Sequence, residues 1–392
     1  MARLTITGIE VREVAYEAQD VGPDPRAPYL QVYRRGMRST RRVPVFRVFT
    51  ANGPVGEYAG GSPLEAAGAR SVADLLLGRD PLEREAIYDD TKRALRQHAR
   101  LGIGPLDIAL WDLAGKHYGA PVFELLGGFR RELPCYASTY TGDHEGGLDS
   151  PEAYADFAVR CRELGYPGYK IHPVAEGDVE LDRATVLAVR KAVGDRMALM
   201  LDPACAYNTF GETVQVGLAC DQARFFWYED PFKDGGISQF AHKKLRQLIR
   251  TPLLQGEHVR TLEPHVDFVV AEATDFLRGD PHYDGGITGV MKIAHAAEGF
   301  GVDMELHGAG PAQRHLMAAV RNSNFYELGL VHPKAPSTRP PIYADGYSDE
   351  LDAVDARGRV RVPEGPGLGV AYDRDFIRRH TVERAVFGAV PD

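Results

Sequence analysis

The sequence predicts an α/β fold, in which a barrel of alternating strands and helices follows a smaller α+β capping domain. From residue 132 onward, eight short apolar runs recur about every 25–30 residues with helix-like segments between them, which is typical of a closed barrel. The 392 residues exceed the roughly 250 that one barrel uses, so the first third of the chain must form something else. An open doubly wound sheet is the alternative, but no GxGxxG motif follows the first strand of the series.

Residues 1–127 are expected to form the capping domain, with strands first and helices after them. The segments 1–17 and 43–60 alternate as antiparallel strands, and Asn52-Gly53 is typical of a hairpin turn. Residues 18–42 are rich in proline, glycine and arginine and lack core periodicity, which predicts a long loop that could serve as an active-site lid. Apolar positions at helical spacing predict helices between residues 64 and 127.

The predicted lid loop carries five arginines that could bind a substrate carboxylate. For any one of them, a solvated and mobile charge remains the preferred interpretation. These residues are Arg34, Arg35, Arg38, Arg41 and Arg42.

Residues 128–345 are expected to form the barrel, and residues 346–392 a C-terminal segment that packs back on the cap. That segment is too short to fold alone, and its run GRVRVPEGPGLGVAYD is typical of a hairpin and turn. The predicted barrel strands cover 133–139, 168–172, 198–204, 225–231, 252–258, 274–280, 302–308 and 325–330.

Composition argues against several classes of protein. The chain has 46 basic and 55 acidic residues and a net charge of −9, so there is no basic bias that would suggest a nucleic acid or membrane-surface partner. No apolar stretch approaches a membrane span, and the N-terminus alternates like a strand without an apolar signal core. Four scattered cysteines without a CxxC pair indicate a reduced protein of the cytoplasm.

Three of the predicted barrel strands end in a carboxylate. Asp202, Glu229 and Glu257 follow the apolar runs ALML, FFWY and PLLQ at intervals of 27 and 28 residues. A single strand-end acid usually binds a turn or a surface lysine, but three acids in phase with the repeat meet at one end of a barrel. They repel one another unless a hard divalent cation lies between them, and oxygen ligands favour Mg²⁺ or Mn²⁺. His258, directly after Glu257, is expected to point into the barrel wall and to be structural.

Further titratable residues lie at the ends of the remaining strands. Lys170 and His172 share one strand at positions i and i+2, so their side chains face the same side. Asp280 and His307 end adjacent predicted strands, where a carboxylate can fix the tautomer of an imidazole and stabilise its cation. Glu327 in the last strand could complete the ring. The alternative for each is a satisfied structural residue, but two titratable groups that face a metal pocket favour function.

These residues and several longer motifs resemble the enolase superfamily, mandelate racemase subgroup, over nearly the whole chain. The motifs are IGPLDIALWDLAGKHYGAPVFELLGG in the cap, YEDP and GEH around the metal ligands, GGITG after Asp280, and GPGLGV near the end. The resemblance implies a modified (β/α)7β TIM-type barrel with an N-terminal α+β capping domain. It also implies a homo-oligomer, as a dimer or an octamer, and a small-molecule sugar acid or hydroxy acid as substrate.

The resemblance assigns a role to each site residue, with one departure. Asp202, Glu229 and Glu257 would bind Mg²⁺, with Mn²⁺ as an alternative. Asp280 and His307 would form the subgroup's histidine–aspartate dyad, and Glu327 would hydrogen-bond the substrate carboxylate. The subgroup commonly carries Lys-x-Lys on the second barrel strand, whereas this chain has Lys170-Ile171-His172, so His172 occupies the position of the base. Ala204 stands where the subgroup often has asparagine, so substrate contacts differ as well.

The resemblance implies removal of a proton α to a carboxylate, and the two histidines suggest the step after it. Lys170 beside His172 should disfavour an imidazolium, and Asp280 beside His307 should favour one. His172 is therefore predicted to be the base and His307 the acid, although the substrate could reverse the two roles. This predicts a Mg²⁺-dependent lyase, a sugar-acid dehydratase that eliminates a β-hydroxyl and yields a 2-keto-3-deoxy acid.

Two alternatives stay open at the level of sequence. A racemase or epimerase of a 2-hydroxy acid could use the same two groups for two-base exchange. A non-catalytic metal-binding homologue would have no evident use for both histidines and the dyad acid. Specificity is expected to come from residues 18–42 and from strand-end side chains such as Tyr136, Ser138, Tyr140 and Tyr207.

Overall fold

The computed structural model describes residues 4–336 and 338–391. The first part of the chain forms an antiparallel sheet followed by helices. The strands of this part are β1 (Ile6–Pro23), β2 (Gln31–Thr50) and β3 (Gly56–Ala59), and the helices are α1 (Pro63–Val72), α2 (Arg84–Ala94), α3 (Ile103–Tyr118) and α4 (Val122–Leu125). The Asn52-Gly53 turn joins β2 to β3, which pair antiparallel.

The prediction of a long loop over residues 18–42 is wrong. Strands β1 and β2 pair along almost their whole length, with Tyr16 opposite Arg41 and Pro23 opposite Gln31, so only residues 24–30 connect them. The two-stranded ribbon satisfies its own backbone hydrogen bonds and keeps much of its surface exposed, so it needs no apolar periodicity. The sequence of this part of β2, which is rich in arginine, therefore lacks the alternating pattern that predicts a strand.

The barrel consists of eight parallel strands in the order β10-β9-β8-β7-β6-β5-β4-β11, and the outer strands β10 and β11 contact each other. This confirms the predicted α/β barrel with an α+β cap. Its strands are β4 (Glu132–Thr141), β5 (Gly168–His172), β6 (Ala198–Leu201), β7 (Trp227–Glu229), β8 (Leu253–Gln255), β9 (Phe276–Gly279), β10 (Asp303–Leu306) and β11 (Tyr326–Val331). Between them lie α5 (Pro151–Glu163), α6 (Val179–Val193), α7 (Phe210–Ala223), α8 (Gln239–Arg246), α9 (Leu262–Val270), α10 (Gly286–Phe300) and α11 (Pro311–Ala319).

Five of the barrel strands, β6 to β10, are shorter than the apolar runs that predict them. Each ladder stops where the chain turns outward into a loop, so several predicted strand-end residues lie just past the last paired residue. Asp202, for example, follows Leu201, the last residue of β6, and Asp280 follows Gly279, the last residue of β9. This position at the C-terminal rim is where barrels place their functional side chains.

The C-terminal segment joins both parts of the molecule. It contains β12 (Arg359–Arg361), α12 (Arg374–His380) and β13 (Thr381–Gly388). The predicted hairpin in this segment is wrong, because β12 pairs with β4 rather than with a neighbour in its own run. Strand β13 pairs antiparallel with β1 and completes a cap sheet of order β13-β1-β2-β3. The limits of the three segments at 127 and 345 stay a prediction.

One buried carboxylate fixes the junction between the cap and the barrel. Asp107 on α3 accepts hydrogen bonds from the Thr288 backbone N–H at 2.9 Å and from the Thr288 hydroxyl at 2.6 Å. Thr288 lies in the first turn of α10, whose backbone N–H groups lack partners within the helix. Asp107 thus caps a barrel helix from the cap domain, which explains the aspartate in the run GPLDIALWD.

None of the helices in the described residues is both long enough and apolar enough to cross a membrane.

Candidate active site

A cavity of about 810 Å³ lies between the C-terminal rim of the barrel and the β1–β2 hairpin. Residues after the barrel strands form its floor, and Tyr16, Gln31 and Arg41 of the hairpin form part of its opposite wall. The floor includes six of the eight predicted site residues, namely His172, Asp202, Glu257, Asp280, His307 and Glu327. The other two, Lys170 and Glu229, lie just inside the barrel and contact the floor residues.

The three predicted metal ligands converge. Asp202 follows β6, Glu229 ends β7 and Glu257 lies two residues past β8. One oxygen from each carboxylate lies within 4.8 Å of the other two. Burial raises the pKa of Glu229 to about 8, and the charges of its two neighbours add to that rise. Three carboxylates without thiolate or imidazole partners in the set fit a hard divalent cation such as Mg²⁺.

Lys170 and Arg278 hold the buried side of this cluster. The Lys170 ammonium lies 3.0 Å from Asp202, 3.1 Å from Glu229 and 3.1 Å from Glu327. Arg278 on β9 lies 2.9 Å from Glu229 through Nε and 2.8 Å from Glu327 through Nη2. Burial and Arg278 lower the pKa of Lys170, but the carboxylates outweigh them and hold it well above its usual value. Both cations therefore stay charged and fix the carboxylates in place.

Arg278 is a residue that sequence reasoning missed. It is completely buried inside the barrel, where its Nη1 also donates to the Tyr136 hydroxyl at 3.0 Å. A signal was present, because Arg278 interrupts the apolar run TDFLRGD, and a buried arginine requires acidic partners.

His172 lies at one end of the carboxylate cluster, beside Asp202. Its Nδ1 is 2.7 Å from the Thr139 carbonyl oxygen, and its Nε2 is 2.9 Å from Asp202 Oδ2. A carbonyl only accepts, so Nδ1 carries hydrogen and donates. Nε2 faces the Asp202 carboxylate, and whenever the ring is neutral this nitrogen holds the lone pair that a general base needs.

His307 lies at the other end of the cluster, beside Glu257. Its Nδ1 is 2.5 Å from Asp280 Oδ2, and its Nε2 is 3.4 Å from Glu257 Oε1. Burial lowers the pKa of His307, but Glu257 and Asp280 outweigh it and raise the pKa to about 9. This is the direction that the sequence predicts, and it leaves a proton on Nε2 that faces the cavity.

Glu327 on β11 lines the cavity but is already well bonded. Its oxygens accept from Lys170, from Arg278 and, at 2.7 Å, from the Gly308 backbone N–H. Burial raises its pKa, and the charges of Lys170 and Arg278 outweigh burial and lower it well below its usual value.

His258 was expected to point into the barrel wall, but it lines the cavity. Its ring faces the carboxylate of Asp230. Its Nε2 lies 3.3 Å from Asp230 Oδ2, and Asp230 directly follows the predicted metal ligand Glu229. This contact joins the two loops that carry Glu229 and Glu257, and a purely structural role of His258 stays a prediction.

The predicted specificity residues divide into two groups. Tyr140 lines the cavity, and its hydroxyl contacts that of Thr338. Ser138 and Tyr136 are buried in the barrel, and Tyr207 donates to Asp182 at 2.7 Å, away from the cavity.

Of the five hairpin arginines, Arg41 lines the cavity. Arg34 pairs with Glu145 at 2.9 Å, Arg38 with Glu17 at 3.6 Å, and Arg42 with Glu13 at 3.3 Å. Arg35 donates its backbone N–H to Glu145 at 2.7 Å.

Comparison with known proteins identifies the class that this fold and site define. Residues 24–127 match the family model of the mandelate racemase/muconate lactonizing enzyme N-terminal domain, and residues 153–376 match that of the enolase C-terminal domain-like family. The chain therefore belongs to the enolase superfamily, in the mandelate racemase subgroup.

Among its curated relatives are two sugar-acid dehydratases. The L-talarate/galactarate dehydratase of Salmonella typhimurium is 32% identical over 341 residues, which cover 85% of this chain and 79% of that enzyme. The D-gluconate dehydratase of Thermoproteus tenax is 28% identical over 330 residues, and the match covers 80% of this chain and 64% of that enzyme. The crystal structure of D-glucarate dehydratase from Agrobacterium tumefaciens complexed with magnesium superposes with a TM-score of 0.84 at 29% identity, over 97% of this chain and 99% of the other.

Proposed function

We propose that the protein is a Mg²⁺-dependent sugar-acid dehydratase, which removes the proton α to a carboxylate and then eliminates a β-hydroxyl as water. The observation that carries this proposal is the position of the two imidazoles. His172 contacts Asp202 at one end of the carboxylate cluster, and His307 contacts Glu257 at the other end. A substrate held over the cluster would have a nitrogen lone pair on one side and an N–H donor on the other.

Asp202, Glu229 and Glu257 would hold the cation, whose positive charge would stabilise the charge that develops on the substrate carboxylate as the proton leaves. His172 would accept the α-proton at Nε2, since the Thr139 carbonyl keeps the ring hydrogen on Nδ1. His307 would donate its Nε2 proton to the departing β-hydroxyl, because Asp280 stabilises its charged form before the reaction. The resulting enol would tautomerise to the 2-keto-3-deoxy acid.

Lys170, Arg278 and Glu327 would position these groups. Lys170 bonds to two of the three metal ligands, and Arg278 contacts Glu229. For Glu327 to donate to a substrate carboxylate, as the resemblance implies, it would need a proton that Lys170 and Arg278 disfavour. We therefore propose that Glu327 mainly orients these two cations and the Gly308 loop.

The test is incubation of the purified protein and Mg²⁺ with a broad panel of acid sugars, with detection of 2-keto product. Formation of such a product from at least one acid supports the proposal, and its absence across the panel contradicts it. The same incubation in D₂O separates the alternative, because a racemase or epimerase exchanges the α-hydrogen and returns a 2-hydroxy acid without a keto product.

Three further expectations belong to this proposal. Mn²⁺ should substitute for Mg²⁺, since both accept carboxylate oxygens. A cytoplasmic location agrees with the four cysteines, which are free thiols in the structure. A homo-oligomer, as a dimer or an octamer, can be tested by light scattering on the purified protein.

A further inference from the structure

The cavity is electrostatically two-sided. Its acidic lining residues all lie on the barrel floor, after or within the parallel strands. They are Asp202, Glu257, Asp280 and Glu327. Its two arginines, Arg41 and Arg339, lie elsewhere, on the hairpin and on the segment between β11 and β12. The floor would attract a cation and, through it, a substrate carboxylate, whereas the arginines would attract a second negative group at the other end of the substrate.

Arg41 is part of the hairpin, and its Nε has no hydrogen-bond acceptor among the described residues. It lies directly opposite Tyr16 on the paired strand, and its Nη2 donates to Gln31 Oε1 at 3.0 Å. Its Nε is buried and has no acceptor among residues 4–336 and 338–391. A buried guanidinium N–H that finds no acceptor in the protein is costly unless a ligand supplies one.

Arg339 lines the same cavity as Arg41. Its Nη1 lies 3.4 Å from the carbonyl oxygen of Ala309, which belongs to the loop between β10 and α11. Burial raises the pKa of the Tyr140 hydroxyl, and the positive charges of both arginines oppose that rise. Both arginines thus line the cavity together with Tyr140 and act on its hydroxyl.

Gln313 offers a second unused hydrogen-bonding group. It is completely buried at the start of α11 and lines the cavity, and neither its amide nitrogen nor its amide oxygen has a partner within the described part of the chain. Together with the hydroxyls of Tyr16, Tyr140 and Thr338, it would suit the alcohol groups of a polyhydroxylated chain.

We propose that the substrate is a polyhydroxy dicarboxylic acid, whose reacting carboxylate is held over the barrel floor and whose distal carboxylate is bound by Arg41 and Arg339. This inference rests on the proposed function and adds the substrate class. A monocarboxylic sugar acid would place a neutral CH₂OH group against two guanidinium groups, which gains less than a charge-assisted, bidentate contact.

The experiment compares matched aldarate and aldonate pairs, such as galactarate with galactonate and glucarate with gluconate, which differ in the distal group alone. Binding is measured by calorimetry in the presence of Mg²⁺ with the His307→Asn protein, and turnover is measured with the unchanged protein. We expect the aldarate of at least one pair to bind on the order of 10- to 100-fold more tightly than its aldonate. The Arg41→Met variant should lose most of that difference, and Arg41→Lys should keep part of it.

Arg38→Met is the matched control, because Arg38 lies on the same strand, is exposed and pairs with Glu17 outside this cavity. It should bind both acids as the unchanged protein does. Equal binding of aldarates and aldonates, or a preference for the aldonate, would overturn the dicarboxylate inference even if aldonates are dehydrated. Tight aldarate binding without any 2-keto product would support the inference and contradict the proposed dehydratase instead.

Discussion

At the scale of single residues, the candidate site contains some residues that the sequence pattern predicts and others whose contacts are visible only in the folded structure. Asp202, Glu229 and Glu257 were predictable because they occur in phase with a strand–helix repeat. The surroundings of Lys170 were not, because its three carboxylate partners come from three other strands. Those partners compensate the charge of Lys170. The Thr139 carbonyl, which sets the ring tautomer, could not be read from the sequence either.

A first prediction concerns His172. The His172→Asn variant should lose proton abstraction, and kcat for dehydration should fall by about 10²- to 10⁴-fold, which is the usual contribution of a general base. Mg²⁺ affinity, measured by calorimetry, should change little. The exposed His98 provides a matched control, since His98→Asn should leave kcat unchanged. Retained dehydration by His172→Asn would remove this residue from the chemistry.

A second prediction concerns Arg278. The Arg278→Met variant removes one of the two cations, Lys170 and Arg278, that contact the buried carboxylates Glu229 and Glu327, and the free energy of unfolding should fall by about 3–5 kcal/mol. Added Mg²⁺ should restore part of that loss, because it binds the same cluster. Urea unfolding with and without Mg²⁺ provides the measurement. Arg321→Met, which breaks an exposed pair with Glu298, should cost less than about 1 kcal/mol, and an equal cost for both variants would contradict the prediction.

At the scale of elements, the sequence was informative for the barrel and misleading for the hairpin. Barrel strands are buried on both faces and appear as apolar runs, whereas the parts of β1 and β2 within residues 18–42 form a polar ribbon without an apolar period. The tip of this ribbon is fixed to the barrel loops. Tyr33 stacks on His332 with ring centroids 4.8 Å apart, and His332 Nε2 is 3.0 Å from the buried carboxylate of Asp143.

A third prediction tests that attachment. The Tyr33→Ala variant removes the stacking on His332, which is worth about 0.5–1.5 kcal/mol, and should loosen the hairpin tip over the cavity. We expect KM to rise several-fold, proteolysis within residues 24–30 to accelerate, and the melting temperature to change little. Tyr118→Ala, at an exposed position on α3, should show none of these changes. Unchanged KM and proteolysis in Tyr33→Ala would show that the stack does not hold the tip.

A fourth prediction concerns pH and the cap–barrel junction. Burial raises the pKa of Asp107 to about 7, well above its ordinary value of 3.8. The folded state therefore binds the Asp107 carboxyl proton more tightly than the unfolded state does. The contribution of this proton to the free energy of unfolding is fully present below about pH 4 and is lost as the pH rises through about 7. Asp107→Asn removes this dependence. The unfolding free energy of the unchanged protein relative to the variant should fall by up to a few kcal/mol between about pH 5 and about pH 8. A constant difference in urea unfolding would contradict it.

At the scale of the whole molecule, length and repeat spacing were enough to predict one barrel and one cap. They could not predict that the C-terminal segment belongs to both parts, with β12 on the barrel strand β4 and β13 on the cap strand β1. Pairings between residues more than 200 positions apart leave no local pattern. The cavity between hairpin and barrel was likewise beyond prediction, since it depends on how the two parts face each other.

A fifth prediction concerns metal and global stability. The proposed Mg²⁺ site forms only in the folded protein, so Mg²⁺ should raise the unfolding free energy by about 2.7 kcal/mol at 100 times its dissociation constant, and EDTA should reverse this and abolish turnover. Glu229→Gln should lose most of the Mg²⁺-dependent shift in melting temperature. Glu180→Gln, on an exposed helix position, should keep all of it. A shift of equal size in both variants would place the cation elsewhere.

The pairing of β13 with β1 has a consequence for synthesis. Strand β1 is made long before its outer partner β13, which lies at residues 381–388. Until then, the nascent chain carries an open strand edge whose N–H and C=O groups are available to other chains. A truncation before residue 381, or a bulky fusion that blocks this pairing, should therefore reduce the yield of dispersed protein before it affects any residue of the active site.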